Sequence, residues 1–137
     1  MENYRVESIF VEAEKDRAFR FIADAANLPE WTHAFKAVRN GTAMMETPAG
    51  SVQVSLEVAA SNEAGTIDWR MTFPDASKAV ACSRLVPAPG GCVYSFVLLA
   101  PPVPLAQLEG TLNQQVDILR QELRKLKDLL ERKGKPS

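Results

Sequence analysis

The feature that most constrains the fold is a long apolar repeat in the last quarter of the chain. Seven leucines and one valine recur there at spacings of three and four residues, along one face of an α-helix: Leu105, Leu108, Leu112, Val116, Leu119, Leu123, Leu126 and Leu130. A helix over residues 105–132 would be roughly 40 Å long. A helix with one apolar face must bury that face against another element.

Alternation of apolar and polar residues predicts that a β-sheet supplies the partner surface. Residues 52–58 and 67–73 alternate most clearly, with Val54, Leu56, Trp69 and Met71 on the apolar side. Further strands are predicted at about 5–11, 35–39, 43–47, 79–86 and 92–99, the first of them largely buried. Short connections, including the turn dipeptide Asn40-Gly41, favour an antiparallel meander.

Two short helices are predicted between the first two strands. The apolar face of the first carries Phe19, Ile22, Ala23 and Ala26, and Asn27 is a suitable C-terminal stop. Pro29 suits the first turn of a second helix, which would carry Trp31, Ala34 and Phe35. The element order therefore predicts the α+β class.

Length and charge restrict the functions that the chain can have. The 137 residues suggest one domain over 1–137, with a frayed tail over 132–137. The formal net charge of −1 provides no long-range attraction for nucleic acid. No apolar run approaches the length of a spanning helix, and the N-terminus has no signal-peptide hydrophobic region. We expect a cytoplasmic protein with no nucleic-acid partner and no membrane insertion.

The two cysteines are predicted to be buried free thiols. If Pro87–Gly91 forms a turn, Val86 lies opposite Cys92 and Cys82 lies opposite Phe96, about four residues out of register for a disulfide. One histidine and two distant cysteines do not make a zinc site. The sequence also has no phosphate loop or dinucleotide fingerprint, so we expect no metal and no cofactor.

The segment from Val11 to Trp31 resembles the opening of the SRPBCC superfamily, which includes START domains, the birch pollen allergen and polyketide cyclase/dehydrases. The similarity lies in the strand end, the aromatic-bearing helix and the Asn27-Leu28-Pro29-Glu30-Trp31 run. It implies a helix-grip fold: a curved antiparallel sheet of six or seven strands around a long C-terminal helix. It also implies a cavity for apolar ligands beside the two short helices, although fold alone does not fix function.

Alternation indicates which side chains would line such a cavity. The inner faces of two strands and the helix supply most of the set, with two aromatic residues at the mouth: Val52, Val54, Leu56, Ile67, Trp69, Met71, Leu112, Val116, Trp31 and Phe35. The same residues would equally serve as the filling of a solid core.

Four polar residues are candidates for chemistry. His33 is either a general acid/base at the mouth or a solvent-facing residue of the short helix. Arg84 and Tyr94 are expected to be cross-strand partners, either facing a ligand or forming an outer pair. Glu109 either borders the cavity near the helix start or reaches solvent.

Three functions are compatible with this pattern. The first is binding or transport of a small hydrophobic molecule, such as a lipid or an aromatic polyketide-like compound. The second is a polyketide cyclase/dehydrase, which requires at least two of the polar candidates to converge. The third is a protein-interaction module of the antitoxin or quinone-chaperone kind. The late leucines, including Leu126, Leu129 and Leu130, also suggest a homodimer contact.

Overall fold

A computed structural model describes residues 4–47, 50–99 and 112–133. The elements follow the order expected from the sequence: β1 (Tyr4–Val11), α1 (Lys15–Ala23), a 3₁₀ turn (Ala25–Asn27), α2 (Leu28–Trp31), β2 (Phe35–Arg39), β3 (Thr42–Thr47), β4 (Gly50–Ser61), β5 (Thr66–Thr72), β6 (Lys78–Ala88), β7 (Gly91–Leu99) and α3 (Leu112–Lys133). The first quarter of the predicted C-terminal helix, residues 105–111 with Leu105 and Leu108, lies outside the described residues.

The seven strands form one curved antiparallel sheet in the order β1-β7-β6-β5-β4-β3-β2. Strands β2 to β7 form a meander. Strand β1 is the edge strand beside β7, and the two pair from Tyr4↔Leu99 to Val11↔Cys92. The predicted α+β helix-grip fold is therefore confirmed.

The predicted register of the last hairpin is wrong by one residue. Ala88 pairs with Gly91, so the turn contains only Pro89 and Gly90. Gly90 has φ +83°, which glycine adopts without the strain that a Cβ would bring. A tight turn replaces the longer loop that the Pro and Gly content of residues 87–91 suggested, and every cross-strand pair shifts with it.

This shift separates two candidate residues. Tyr94 pairs with Leu85 on the inner face of the sheet, whereas Arg84 pairs with Ser95 on the outer face. The prediction that Arg84 and Tyr94 are cross-strand partners is wrong, because facing pairs alternate strictly along a ladder.

The cysteines are free thiols on opposite faces of the sheet. Cys92 is buried and pairs with Pro87, while Cys82 is only half-buried and pairs with Val97 rather than Phe96. Loss of hydration raises the pKa of both thiols. Both cysteines are free, as predicted. The prediction that Cys82 is buried is wrong, because it is only half-buried.

The boundaries of the short helices differ from those predicted. Helix α1 ends at Ala23, and the side chain of Asp24 caps the following 3₁₀ turn by accepting the N–H of Ala26 at 3.0 Å. Pro29 occupies the first turn of α2, as predicted. Helix α2 ends at Trp31, because the backbone of Thr32 is extended. The backbone N–H and the side-chain hydroxyl of Thr32 both donate to the carbonyl oxygen of Leu28. Ala34 and Phe35 therefore lie beyond the helix.

The C-terminal helix is held mainly by its apolar stripe. Four leucines of α3 are at most 3% exposed and belong to the central apolar cluster: Leu119, Leu123, Leu126 and Leu130. Leu129 is half-buried against the same cluster. The leucines that suggested a dimer contact are thus covered by the chain's own sheet and helices, and they need no second copy to cover them.

Polar contacts attach the same helix to the edge strand β1. Arg120 Nε donates to Glu7 Oε1 at 2.5 Å, and Lys127 Nζ donates to the carbonyl oxygen of Phe10 at 2.9 Å. Glu131 accepts the backbone N–H of Glu12 at 2.9 Å. Charged side chains bound to edge-strand groups hinder the addition of another strand at this end of β1.

Strand β1 is less buried than its composition predicts, because it is an edge strand. Its inner residues face α3, whereas Tyr4, Val6 and Phe10 are exposed on the outer face of the sheet. Leu99 of β7 is exposed beside Tyr4. The apolar residues of β1 are thus divided between the two faces, and the expectation of a largely buried first strand is wrong.

Truncating a leucine of α3 tests how much the packing of this helix against the sheet contributes to stability. Leu126→Ala removes a side chain that is 0% exposed, and we expect a loss of about 2–5 kcal/mol in the free energy of unfolding, measured by urea denaturation. Leu99→Ala, at a side chain 48% exposed, is the matched control and should change it by less than about 1 kcal/mol. Equal losses in the two variants would contradict the burial of the helix.

Candidate functional site

A cavity of about 660 Å³ lies between the inner face of the sheet, the α2–β2 segment and the first part of α3 that the structure describes. The sheet supplies mostly apolar side chains from four strands: Met45, Trp69, Met71, Ala81, Phe96 and Leu98. Helix α2 and the residues after it supply Leu28, Trp31, Thr32, His33, Ala34 and Phe35. The helix side is more polar and includes Gln114, Gln115, Asp117, Ile118, Leu119 and Glu122.

A row of aromatic rings forms the deep side of this cavity. Trp31 meets Trp69 edge-on, with ring centroids 6.4 Å apart, and Trp69 stacks on Phe96 at 5.9 Å. Phe96 in turn contacts Tyr94 edge-on at 6.4 Å. Such offset and edge-to-face pairs are favourable beyond their buried area. The row fixes α2 on the sheet and so determines where the cavity opens.

The two tryptophans expose only narrow edges to this space. Trp31 is 2% exposed and Trp69 is 3% exposed. Their indole N–H groups and the hydroxyl of Tyr94 are buried and have no hydrogen-bond partner among the described residues. A ligand would therefore meet mainly the less buried lining residues, such as Phe35, Ala81, Leu98 and Ile118.

Glu122 is the polar residue that joins the helix to the α2–β2 segment. Its Oε2 accepts the backbone N–H of His33 at 2.5 Å. The side chain stands beside the buried Leu119 and Leu123 on the inner stripe of α3. Burial raises the pKa of Glu122 from 4.5 to about 7, against the opposing effect of the His33 hydrogen bond. A carboxyl group in the cavity wall is thus poised to gain or lose a proton near neutral pH.

The sequence-predicted ligand residues divide into two groups. Trp31, Phe35, Trp69 and Met71 line the cavity. The others lie outside its lining: Val52, Val54, Leu56, Ile67, Tyr94, Leu112 and Val116. Val54, Leu56, Ile67, Tyr94 and Val116 are buried in the apolar interior, and Val52 and Leu112 are half-buried.

The three candidates for chemistry that the structure describes are not brought together. His33 lies on the cavity rim with an exposed side chain. Arg84 is exposed on the outer face, where its Nε donates to the carbonyl oxygen of Ala64 at 3.3 Å. Tyr94 is completely buried behind Phe96, and this burial raises the pKa of its hydroxyl. Glu109 lies outside the described residues.

Sequence reasoning did not identify Glu122, although a signal was present. Glu122 follows Leu119 by three residues and precedes Leu126 by four, so it lies at the edge of the apolar stripe of the helix. A charged residue that borders a buried face is a stronger indication of function than one in the middle of a solvated face.

Solved structures share this fold over nearly the whole chain. The di-domain ARO/CYC protein StfQ from the steffimycin biosynthetic pathway is 17% identical with a TM-score of 0.70, over 95% of this chain and 51% of StfQ. A START superfamily protein from Mycobacterium smegmatis is 16% identical with a TM-score of 0.64, over 96% and 99% of the two chains. Ara h 8.0201 is 15% identical with a TM-score of 0.63, over 93% and 96%.

The sequence matches no protein-family model and no curated protein. At these low identities the structural neighbours establish the fold alone. The predicted resemblance to the SRPBCC superfamily is therefore confirmed as a shared helix-grip architecture.

Two structural features bear on other kinds of site. Within the ranges 4–47, 50–99 and 112–133, no helix is long and apolar enough to cross a membrane. The same described part of the chain has no cluster of three or more histidine, cysteine or acidic residues that could hold a metal ion.

The burial of Glu122 predicts a pH-dependent stability. Because its pKa is higher in the folded chain than its ordinary value of 4.5, its contribution is fully present below pH 4.5 and is lost as the pH rises through about 7. The wild type should therefore lose roughly 1–3 kcal/mol relative to Glu122→Gln between pH 4.5 and pH 8. Urea denaturation at a series of pH values measures this difference.

The control is Asp128→Asn, which removes a carboxylate from an exposed position on the same helix. A Glu122→Gln profile that followed the Asp128→Asn profile at every pH would contradict the account of Glu122.

Proposed function

We propose that the chain binds and carries a small hydrophobic molecule in the cavity between its sheet and its C-terminal helix. The observation that carries this proposal is the cavity itself, about 660 Å³ in volume and bounded mainly by apolar and aromatic side chains. Cavities that bind small molecules commonly measure about 300–1,000 Å³ and have apolar walls with a few placed polar groups.

The distribution of side chains in the wall supports this proposal. Ala81 and Ala34 are small residues at positions where larger ones would fill the space. Leu98, Ile118 and Phe35 are apolar and half-buried, so a ligand that covered them would remove further apolar surface from water. This gain is the driving force for binding a lipid-like or flat aromatic molecule.

The names of the structural neighbours support the same class of ligand. One neighbour is an ARO/CYC protein of a steffimycin pathway, and another belongs to the START superfamily. We extend from these names only a class of ligand, and we propose a lipid or an aromatic polyketide-like compound for this cavity.

Catalysis is a second candidate function, and Glu122 favours it. With a pKa of about 7, its carboxyl group could donate or accept a proton beside a bound polyketide, as a cyclase/dehydrase requires. Mass spectrometry of an incubated poly-β-ketone substrate tests this candidate. Conversion by the wild type and not by Glu122→Gln supports it, and no conversion by the wild type removes it.

A larger side chain inside the cavity should weaken the binding of a hydrophobic ligand. Ala81→Phe places a ring in the cavity wall, and we expect it to weaken binding of the neutral fluorescent probe N-phenyl-1-naphthylamine at least tenfold, measured by fluorescence titration. Ala37→Phe, at an exposed position of β2 outside the cavity lining, is the matched control and should bind like the wild type.

Circular dichroism should show that both variants retain the fold. Failure of the wild type to bind the probe, or equal weakening in the two variants, would contradict a ligand site at this place.

A further inference from the structure

The charged groups at the cavity are mainly acidic. Asp117 and Glu122 from α3 are carboxylic acids of the lining, and His33 is its basic residue; Glu46 from β3 also borders the cavity, but its carboxylate accepts the hydroxyl of Ser51 on the outer face of the sheet. None of the described lining residues is lysine or arginine.

Glu122 is the carboxylate best placed to act on a ligand. Its Oε2 is engaged by the backbone N–H of His33, and no second hydrogen bond reaches the carboxylate from the described residues. It is half-buried beside apolar side chains, where a charge interacts more strongly with an opposite charge than it does in water. The aromatic rings of Phe35 and Phe96 line the same space, and ring faces also attract cations.

We propose that the cavity selects hydrophobic molecules that carry a protonated amine, with Glu122 as the counter-ion. This inference rests on the proposed function, since it names the class of ligand for the same cavity. The apolar wall binds the body of the ligand, and the carboxylate of Glu122 binds its ammonium group.

Other ligand classes fit the lining less well. A fatty acid or another anion would bring a like charge beside Glu122 and Asp117, which is unfavourable. A neutral molecule of the same shape would gain the apolar contacts but no ion pair. The cavity should therefore prefer a cation to a neutral molecule, and a neutral molecule to an anion.

The preference should depend on pH with a defined sign. Glu122 must be ionised to pair with an ammonium group, and with a pKa of about 7 its ionised fraction rises roughly tenfold from pH 6 to pH 8. An alkylamine stays protonated over this range. Because the uncharged form still binds the hydrophobic body, affinity for the amine should increase several-fold between these pH values. The other titratable groups around the cavity are His33 and Glu46 on facing segments, Tyr94 in the sheet behind and Asp117 on α3.

Three probes with the same naphthalene body test the proposal: 2-(2-naphthyl)ethylamine, 2-(2-naphthyl)ethanol and 2-naphthylacetate. Isothermal titration calorimetry at pH 8 should show the amine binding at least tenfold more tightly than the acetate and several-fold more tightly than the alcohol. The amine alone should gain affinity from pH 6 to pH 8.

Two variants identify the counter-ion. Glu122→Gln keeps an acceptor for the His33 N–H, removes the charge, and should bring the amine to the affinity of the alcohol at both pH values. Asp128→Asn removes the same charge from an exposed position outside the lining and should retain the wild-type order of affinities.

The outcomes separate this inference from the proposed function. If the alcohol binds as tightly as the amine, or the acetate binds most tightly, the cation preference is overturned and hydrophobic binding stands. A pH dependence that survives in Glu122→Gln would belong to another group, such as His33, and would also overturn the role of Glu122. If none of the probes binds to the wild type, both proposals fail.

Discussion

The contact between the leucine stripe of α3 and the inner face of the sheet is the interaction on which the rest of the structure depends. Leu119, Leu123, Leu126 and Leu130 are nearly or completely buried there. Because the sheet curves around the helix, the late leucines fill the space between them, whereas the part of α3 before Leu123 borders the cavity. The same helix therefore stabilises one end of the fold and lines an open space at the other.

The aromatic row from Trp31 through Trp69 to Phe96 connects this packing to the site. It holds α2 against the sheet, and the hydrogen bond from the His33 N–H to Glu122 holds the following segment against the helix. The position of this carboxyl group in an apolar wall carries a cost, because burial raises its pKa, and the hydrogen bond from His33 offsets only part of that effect. If a ligand cation paired with this carboxylate, the ion pair would offset part of the cost of burying it. That gain would exist only in the complex, so it would favour cationic ligands.

The element order and the inner faces of β4 and β5 could be predicted because period-two and period-3.6 patterns report which side of an element is buried. Depth within the interior could not be predicted. Val54 and Trp69 lie on inner faces, yet only Trp69 borders the cavity, because the difference depends on how far the helix stands from the sheet. The register of Arg84 and Tyr94 depended on whether the turn has two or five residues, which composition does not decide. Glu122 was not identified because a charged residue at the edge of a leucine stripe commonly reaches solvent, and only the position of the α2–β2 segment shows that this one is covered.

We propose that the interior of this fold, and not its outer surface, receives an apolar ligand. Methyl-detected NMR with the neutral probe N-phenyl-1-naphthylamine distinguishes the two locations. We expect the largest chemical-shift changes at the methyl groups of Leu98, Ile118 and Ala81, which line the cavity. Changes concentrated at Val6 and Leu99, on the exposed outer face of β1 and β7, would contradict it.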